Sequence, residues 1–226
     1  MSAIILAAGH GSRLRSVAPV KPLVSVRGRP LILHAVDVLA GAGVQTIRVV
    51  VGHGAGDVAA ALAGLAGVET ILSPAWATTP NGSSLLAARD AIRADTVLMM
   101  GDHLVSPVLL ERLLAAPAAP LLLAVDRRLG HPAVDEADVT KVRTADGRIC
   151  GIGKDLLVYD AYDTGVFRIT PELADALASL PSPGLSDGVR MLARRGRAYA
   201  VDVGNAPWLD IDDPRALALA EADWPG

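Results

Sequence analysis

The chain has 226 residues and a formal net charge of −3, so it offers no basic surface for bulk nucleic-acid binding and must meet charged ligands locally. Apolar residues make up 51%, yet the run LLAAPAAPLLLAV at 113–125 is broken by two prolines and is too short to cross a bilayer. The single cysteine, Cys150, rules out an internal disulfide, fits a reducing cytoplasmic setting and reads as a buried strand residue.

Taken in chain order, the opening MSAII has no basic region before it and no cleavage-like site, so it reads as a first strand and not as a signal peptide. Aliphatic, β-branched runs predict buried strands at SAIILA (2–7), TIRVVV (46–51), VETIL (68–72), TVLMM (96–100) and LLLAV (121–125). Between them, Ala/Leu-rich segments predict helices at PLILHAVDVLAGAG (30–43), AGDVAAALAGL (55–65), GSSLLAARDAIR (82–93) and SPVLLERLLAA (106–116). This strict alternation implies an α/β fold with a mostly parallel, doubly wound sheet. After residue 126 the rhythm changes. TKVRTADGRICGIG (140–153) predicts a hairpin turning at Asp146-Gly147, and DTGVFRIT (163–170) another strand, so the second half is expected to add antiparallel strands. No repeat, linker or boundary divides the chain, and residues 1–226 are expected to form one domain.

Open α/β sheets bind ligands beyond the carboxyl ends of their strands, which puts weight on the loop after the first one. From Leu6 onward, LAAGHGSRL offers Gly9 and Gly11, whose backbone N–H groups can approach phosphate oxygens, while Arg13 and Lys21 supply positive charge with no acid between Gly9 and Val36. The G-x-G-x-x-G fingerprint fails because Leu14 stands in place of the third glycine, and Gly-Lys-Ser/Thr is absent. Ala7, Ala8 and Gly9 are small enough to let a flat base lie against the backbone. In TTPNGSSL (78–85), Asn81, Ser83 and Ser84 offer donors and acceptors, though Gly82-Ser83-Ser84 is also ordinary punctuation at a helix start.

Asp102 ends the TVLMMGD run at the ligand edge of the sheet. Asp210 and Asp212, two apart, would face the same side in an extended segment. Together the three carboxylates suit Mg²⁺, which prefers hard oxygen ligands and substrate phosphates. Asp213, followed by Pro214, reads instead as the cap of a last helix, and Ser106 as the cap of the helix after Asp102. The histidines follow no zinc spacing.

LAAGHGSRL followed by KPL resembles the signature of the sugar-phosphate nucleotidyltransferases. MMGDHLVS (99–106), TKV (140–142), DGRICGIGKDL (146–156), YDTGVF (162–167) and WLDIDDP (208–214) resemble their CTP:inositol-1-phosphate cytidylyltransferase branch. The resemblance implies a Rossmann-like, GT-A-like nucleotidyltransferase fold. It also implies CTP and a phosphorylated polyol or sugar as substrates, Mg²⁺ as cofactor, and a separate membrane synthase as the user of the product. On this resemblance Arg13 would contact the triphosphate and Lys21 the α-phosphate, Lys154 would meet the acceptor phosphate, and Asp163 and Thr164 would lie near the acceptor. Read alone, Lys154 is a solvated strand-end lysine, and Asp163 and Thr164 equally suit a strand end. His103 belongs to the GDH triplet of the branch, with no role assigned. A phosphocholine cytidylyltransferase would share the phosphate and metal residues. Tyr159, Tyr162 and Phe167 cluster as a trimethylammonium cage would require, in a chain with only 3% aromatic residues. The same fold would also accommodate uridylyl or guanylyl transfer, or a nucleotide sensor without catalysis.

Overall fold

The computed structural model describes residues 1–14 and 17–224. In chain order, β1 (Ser2–Ala7) leads through 3-10 turns at Ser12–Leu14 and Lys21–Leu23 to β2 (Ser25–Val26), β3 (Arg29–Pro30) and α1 (Leu31–Gly41). Next come β4 (Thr46–Val51), α2 (Ala55–Leu62), β5 (Val68–Leu72), α3 (Asn81–Ala87), β6 (Thr96–Met100), β7 (His103–Val105) and α4 (Pro107–Ala115). The rest comprises β8 (Leu121–Asp126), β9 (Lys141–Ala145), β10 (Arg148–Gly153), β11 (Ala161–Ile169), α5 (Pro171–Ala178), α6 (Leu185–Arg194), β12 (Ala198–Asp202), β13 (Trp208–Asp210) and α7 (Pro214–Asp223).

Among the described residues, nine strands form one mixed sheet in the order β5-β4-β1-β6-β11-β8-β12-β10-β9. The first four are parallel, as the alternating pattern requires. The antiparallel β11 then inserts between β6 and β8, so β8 does not continue the parallel set directly. β12 returns parallel to β8, making the second half mixed and not simply antiparallel. The hairpin of β9 and β10 turns where predicted, with Asp146 at φ 49° and Gly147 at φ 74°. Both angles lie in the left-handed region that a two-residue hairpin loop demands.

The central strands are covered on both faces, which explains why they read as unbroken apolar runs, whereas VETIL forms the edge strand β5 and is part-exposed or exposed throughout, contrary to its reading as a buried strand. Along β1, Ala3, Ile5 and Ala7 enter one core cluster while Ile4 and Leu6 enter the opposite one. A third cluster joins Leu14, Val24 and Leu31 to Leu104, Leu209, Ile211 and Trp224. It packs the loop after β1 against β7, β13 and α7, and so fixes the walls of the cleft at the strand ends.

Cys150 is exposed, contrary to its reading as a buried strand residue. The register with β9 slips between Ile149 and Gly151, which makes Cys150 the extra residue of a bulge and turns it outward. No described helix is long and apolar enough to cross a membrane.

Candidate active site

Three stretches distant in sequence meet at the carboxyl end of the parallel strands. Beyond β6, Gly101 N donates to the Leu6 carbonyl at 2.9 Å, which sets Asp102 beside the loop after β1. The short pair β7 and β13 places Asp210 opposite His103, and Ile211 N donates to the Asp102 carbonyl at 3.0 Å. This ladder brings the late aspartates to Asp102 across more than a hundred residues of chain.

Lys21 is 6% exposed and points into this carboxylate group. Its Nζ donates to Asp102 Oδ2 at 2.6 Å and to Asp212 Oδ1, and lies 3.9 Å from Asp210 Oδ1. Burial opposes its charge, but Asp102, Asp210 and Asp212 outweigh burial and hold the ammonium firmly protonated. Asp102 is likewise opposed by burial yet kept ionised, far below the usual range, by Lys21 and His103. His103 Nδ1 lies 2.8 Å from Asp102 Oδ1 and 3.7 Å from Asp210 Oδ1. Against burial, Asp210 and Asp102 raise the imidazole to about 9. Asp210 goes the other way: burial, then Asp102 and Asp212, push its carboxyl up to about 6.

Arg13 Nη2 donates to Asp212 Oδ2 and to Asp138 Oδ2, both at 2.6 Å. Lys154 Nζ donates to the other oxygen of Asp138 at 2.5 Å. Sequence reasoning passed over Asp138, because VDEADVT carries no spacing or neighbour that marks one of its acids.

Two groups of donors have the spacing to hold a metal ion, Asp102–His103–Asp210 and Asp138–Asp210–Asp212, with ligand atoms within 4.8 Å of one another in each. Asp210 belongs to both. Its Oδ1 is buried and finds no hydrogen-bond donor among the described residues, as a carboxylate oxygen kept for a cation would be. Donors that are almost all oxygens fit Mg²⁺ better than a softer metal.

One cleft is lined by Leu6, Ala7, Ala8, Gly9, Gly11, Arg13, Lys21, Asn81, Ser84, Asp102 and Asp212, together with Trp76 and Thr79. Ser83 does not reach it; its backbone N–H donates to the Pro80 carbonyl at 3.0 Å, an ordinary helix-start contact. Trp76 was missed, and a tryptophan inside the otherwise small and polar SPAWATTP was the available signal. Its ring packs against His10 and His53 with centroids 4.7 Å and 5.4 Å away. The glycines also separate in role. A Cβ on Gly9 would meet nothing within 4 Å, whereas one on Gly11 would lie 2.3 Å from Lys21 Cβ, so Gly11 makes way for the lysine stem.

An adjoining cleft is lined by Asp102, His103, Asp138, Lys154, Asp163, Asp210 and Asp212. Burial pushes the Asp163 carboxyl up to about 6, against the Gly165 N–H and the His103 charge. Thr164 is not in this cleft: it is fully buried, and its hydroxyl donates to the Ala124 carbonyl at 2.8 Å. Tyr162 and Phe167 are also buried, Tyr162 donating to Glu136, so the three-ring cluster expected from the sequence cannot open as a cage. Asp213 caps α7, its Oδ1 accepting from Ala216 N at 2.7 Å. Ser106 precedes α4 without a side-chain cap bond.

Two clefts thus meet over clustered cations and carboxylates at the ligand edge of a mixed α/β sheet. Residues 3–147 match the MobA-like NTP transferase domain, and the chain belongs to that family. It is 34% identical over 233 residues to a "Bifunctional IPC transferase and DIPP synthase" of Rubrobacter xylanophilus, covering 98% of this chain and 51% of the relative. It is also 34% identical to a "CMP-5'-(3-aminopropyl)phosphonate synthase" of Streptomyces rubellomurinus, over 94% of this chain and 37% of that one. The chain thus spans about half the length, or less, of these curated relatives. Among solved structures it is similar to the inositol-1-phosphate CTP transferase from T. maritima, with TM-score 0.86, 25% identity and coverage of 100% of this chain and 98% of that one.

Proposed function

We propose that this chain joins CTP to inositol-1-phosphate, giving CDP-inositol and pyrophosphate, with Mg²⁺ held by Asp102, Asp210 and Asp212. The observation that carries this reading is the pair of adjoining clefts, one with a small-residue floor and Arg13, the other with Lys154, which share Asp102 and Asp212 at their junction. Likeness to the T. maritima transferase supports the choice of substrates.

The acceptor phosphate is an anion near neutral pH, so no base has to remove a proton before its oxygen attacks the α-phosphorus. A new phosphorus–oxygen bond forms while the bond from the α-phosphorus to the bridging oxygen breaks, and pyrophosphate leaves with that electron pair. Little acid–base work is involved; the enzyme must hold two polyanions together and answer the charge that builds on them. Lys21, fixed by its carboxylates, is suited to the α-phosphate, and the half-exposed Arg13 to the triphosphate. Lys154 holds the acceptor phosphate on the opposite side. When bound, Mg²⁺ supplies charge neutralisation on the phosphate oxygens.

Pyrophosphate release should be fastest for CTP with inositol-1-phosphate when four NTPs are screened, with Mg²⁺, against that acceptor, phosphocholine, 3-aminopropylphosphonate and common sugar-1-phosphates. The phosphonate is included because of the Streptomyces relative. Faster turnover with phosphocholine or the phosphonate would overturn the acceptor assignment, and no release with any pair would mean a nucleotide sensor.

A further inference from the structure

Asp138 lies in the irregular stretch between β8 and β9, and its carboxylate holds one cation from each cleft. Oδ2 accepts from Arg13 at 2.6 Å and Oδ1 from Lys154 at 2.5 Å. A carboxylate flanked by two cations in this way offers each of them what a phosphate would offer: a charged oxygen at hydrogen-bonding distance. The backbone around it is anchored independently. Glu136 accepts from the Tyr159 hydroxyl at 2.8 Å and from the Tyr162 hydroxyl, and Val139 N donates to the Asp135 carbonyl at 2.8 Å. The two oxygens of Asp138 share one rigid carboxylate plane, so a rotation that withdraws one of them from its cation moves the other as well.

We propose that Asp138 couples the two substrate sites by standing in for a phosphate on Arg13 and Lys154 together, so that whichever substrate arrives first displaces it and frees the cation the second one needs. The inference rests on the roles given to Arg13 and Lys154 under the proposed function. The cost of displacing Asp138 falls on the first ligand, and the second binds more tightly by the same factor whichever order is followed. Asp138 is a positioning residue in this scheme and need not touch the reacting atoms.

The test is calorimetric and is run in EDTA, so that no metal-ligand role of Asp138 contributes. With CTP alone, Asp138→Asn should bind about 5-fold more tightly than the native chain, because Arg13 is then held by one carboxylate, Asp212, in place of two. Asp135→Asn removes the same charge from the same stretch without touching either cation, and should leave CTP affinity within about 2-fold. With inositol-1-phosphate saturating, CTP affinity should rise by about 5-fold more in the native chain than in Asp138→Asn. Unchanged or weaker CTP binding in Asp138→Asn, with a native melting curve by circular dichroism, overturns the proposal. So does tightening of equal size in Asp135→Asn, which would reduce the effect to net charge. Arg13→Ala and Lys154→Ala separate the two readings. If Arg13→Ala leaves CTP binding untouched, or Lys154→Ala leaves inositol-1-phosphate binding untouched, the site roles themselves fail. If inositol-1-phosphate binds none of the proteins, the acceptor assignment fails, while the CTP measurement still decides the place of Asp138.

Discussion

Lys21 is a charged side chain that water barely reaches, and an ammonium in that position is tolerable only when opposite charge is close and aligned. Asp102, Asp212 and Asp210 supply that charge, and they are the groups proposed above to hold Mg²⁺. The neighbouring aspartates are not equivalent. Asp102→Asn should lower kcat/KM by at least ~10²-fold at saturating Mg²⁺, comparable to losing one preorganised electrostatic contact. Asp213→Asn should be nearly silent, because asparagine caps a helix as well as aspartate and Asp213 already spends its oxygen on Ala216 N. Steady-state kinetics on both variants check this pair. Equal damage from Asp213→Asn would place Asp213 among the metal ligands.

The loop after β1 works as an element because its two glycines do different things. Gly11 sits at φ 56° with the Lys21 stem where its Cβ would be, so alanine there meets both backbone strain and a direct clash. Gly11→Ala should lower unfolding free energy by more than ~1 kcal/mol. It should also depress turnover, since the clash moves the lysine that the carboxylates position. Gly9→Ala has open space and an ordinary backbone angle, and its unfolding free energy should stay within about 0.5 kcal/mol of the native chain. Urea denaturation of the two variants, with kcat measured alongside, gives the comparison. A Gly11→Ala protein as stable and active as the native one would mean that Lys21 is not held as described.

Across the whole molecule, the mixed half of the sheet is tied to β13 by Asp126 at the end of β8. This fully buried carboxylate accepts from Arg128 N at 2.8 Å, from Arg128 Nε at 3.0 Å and Nη2 at 2.8 Å, and from Trp208 Nε1 at 2.8 Å. Trp208 begins β13, the strand that delivers Asp210. Burial opposes ionisation of Asp126, but Arg128 and Trp208 outweigh it and hold the carboxyl below its usual range. A carboxyl depressed on folding contributes its full stabilisation above the unfolded value, near pH ~4, and loses it as pH falls through the lower folded value. Asp126→Asn should therefore cost about 3 kcal/mol at pH 7. That deficit should narrow as the solution is acidified from about pH 5 toward 2. Urea unfolding across that range measures it, and a deficit independent of pH would remove Asp126 from the acid sensitivity of the fold.

What the sequence determined by itself is what local physics encodes. Aliphatic runs alternating with Ala/Leu-rich segments specify strands and helices through their periodicity, Asp146-Gly147 specifies a hairpin through its left-handed angles, and Asp213-Pro214 specifies a helix start. The loop from Leu6 to Lys21 was legible for the same reason, because glycines and cations without acids leave few chemical uses. Long-range pairing carries no such local mark. Nothing in DTGVFRIT says that β11 enters between β6 and β8, or that the bulge falls at Cys150. Only that arrangement buries Thr164 while leaving Asp163 and Phe167 on a cleft wall. Tertiary structure likewise decided that Asp138, from a loop with no local signature, joins Arg13 to Lys154, and that Trp76 lines one side of the first cleft. These are contacts between residues far apart in the chain, and their energies depend on distance and burial, which composition and spacing do not record.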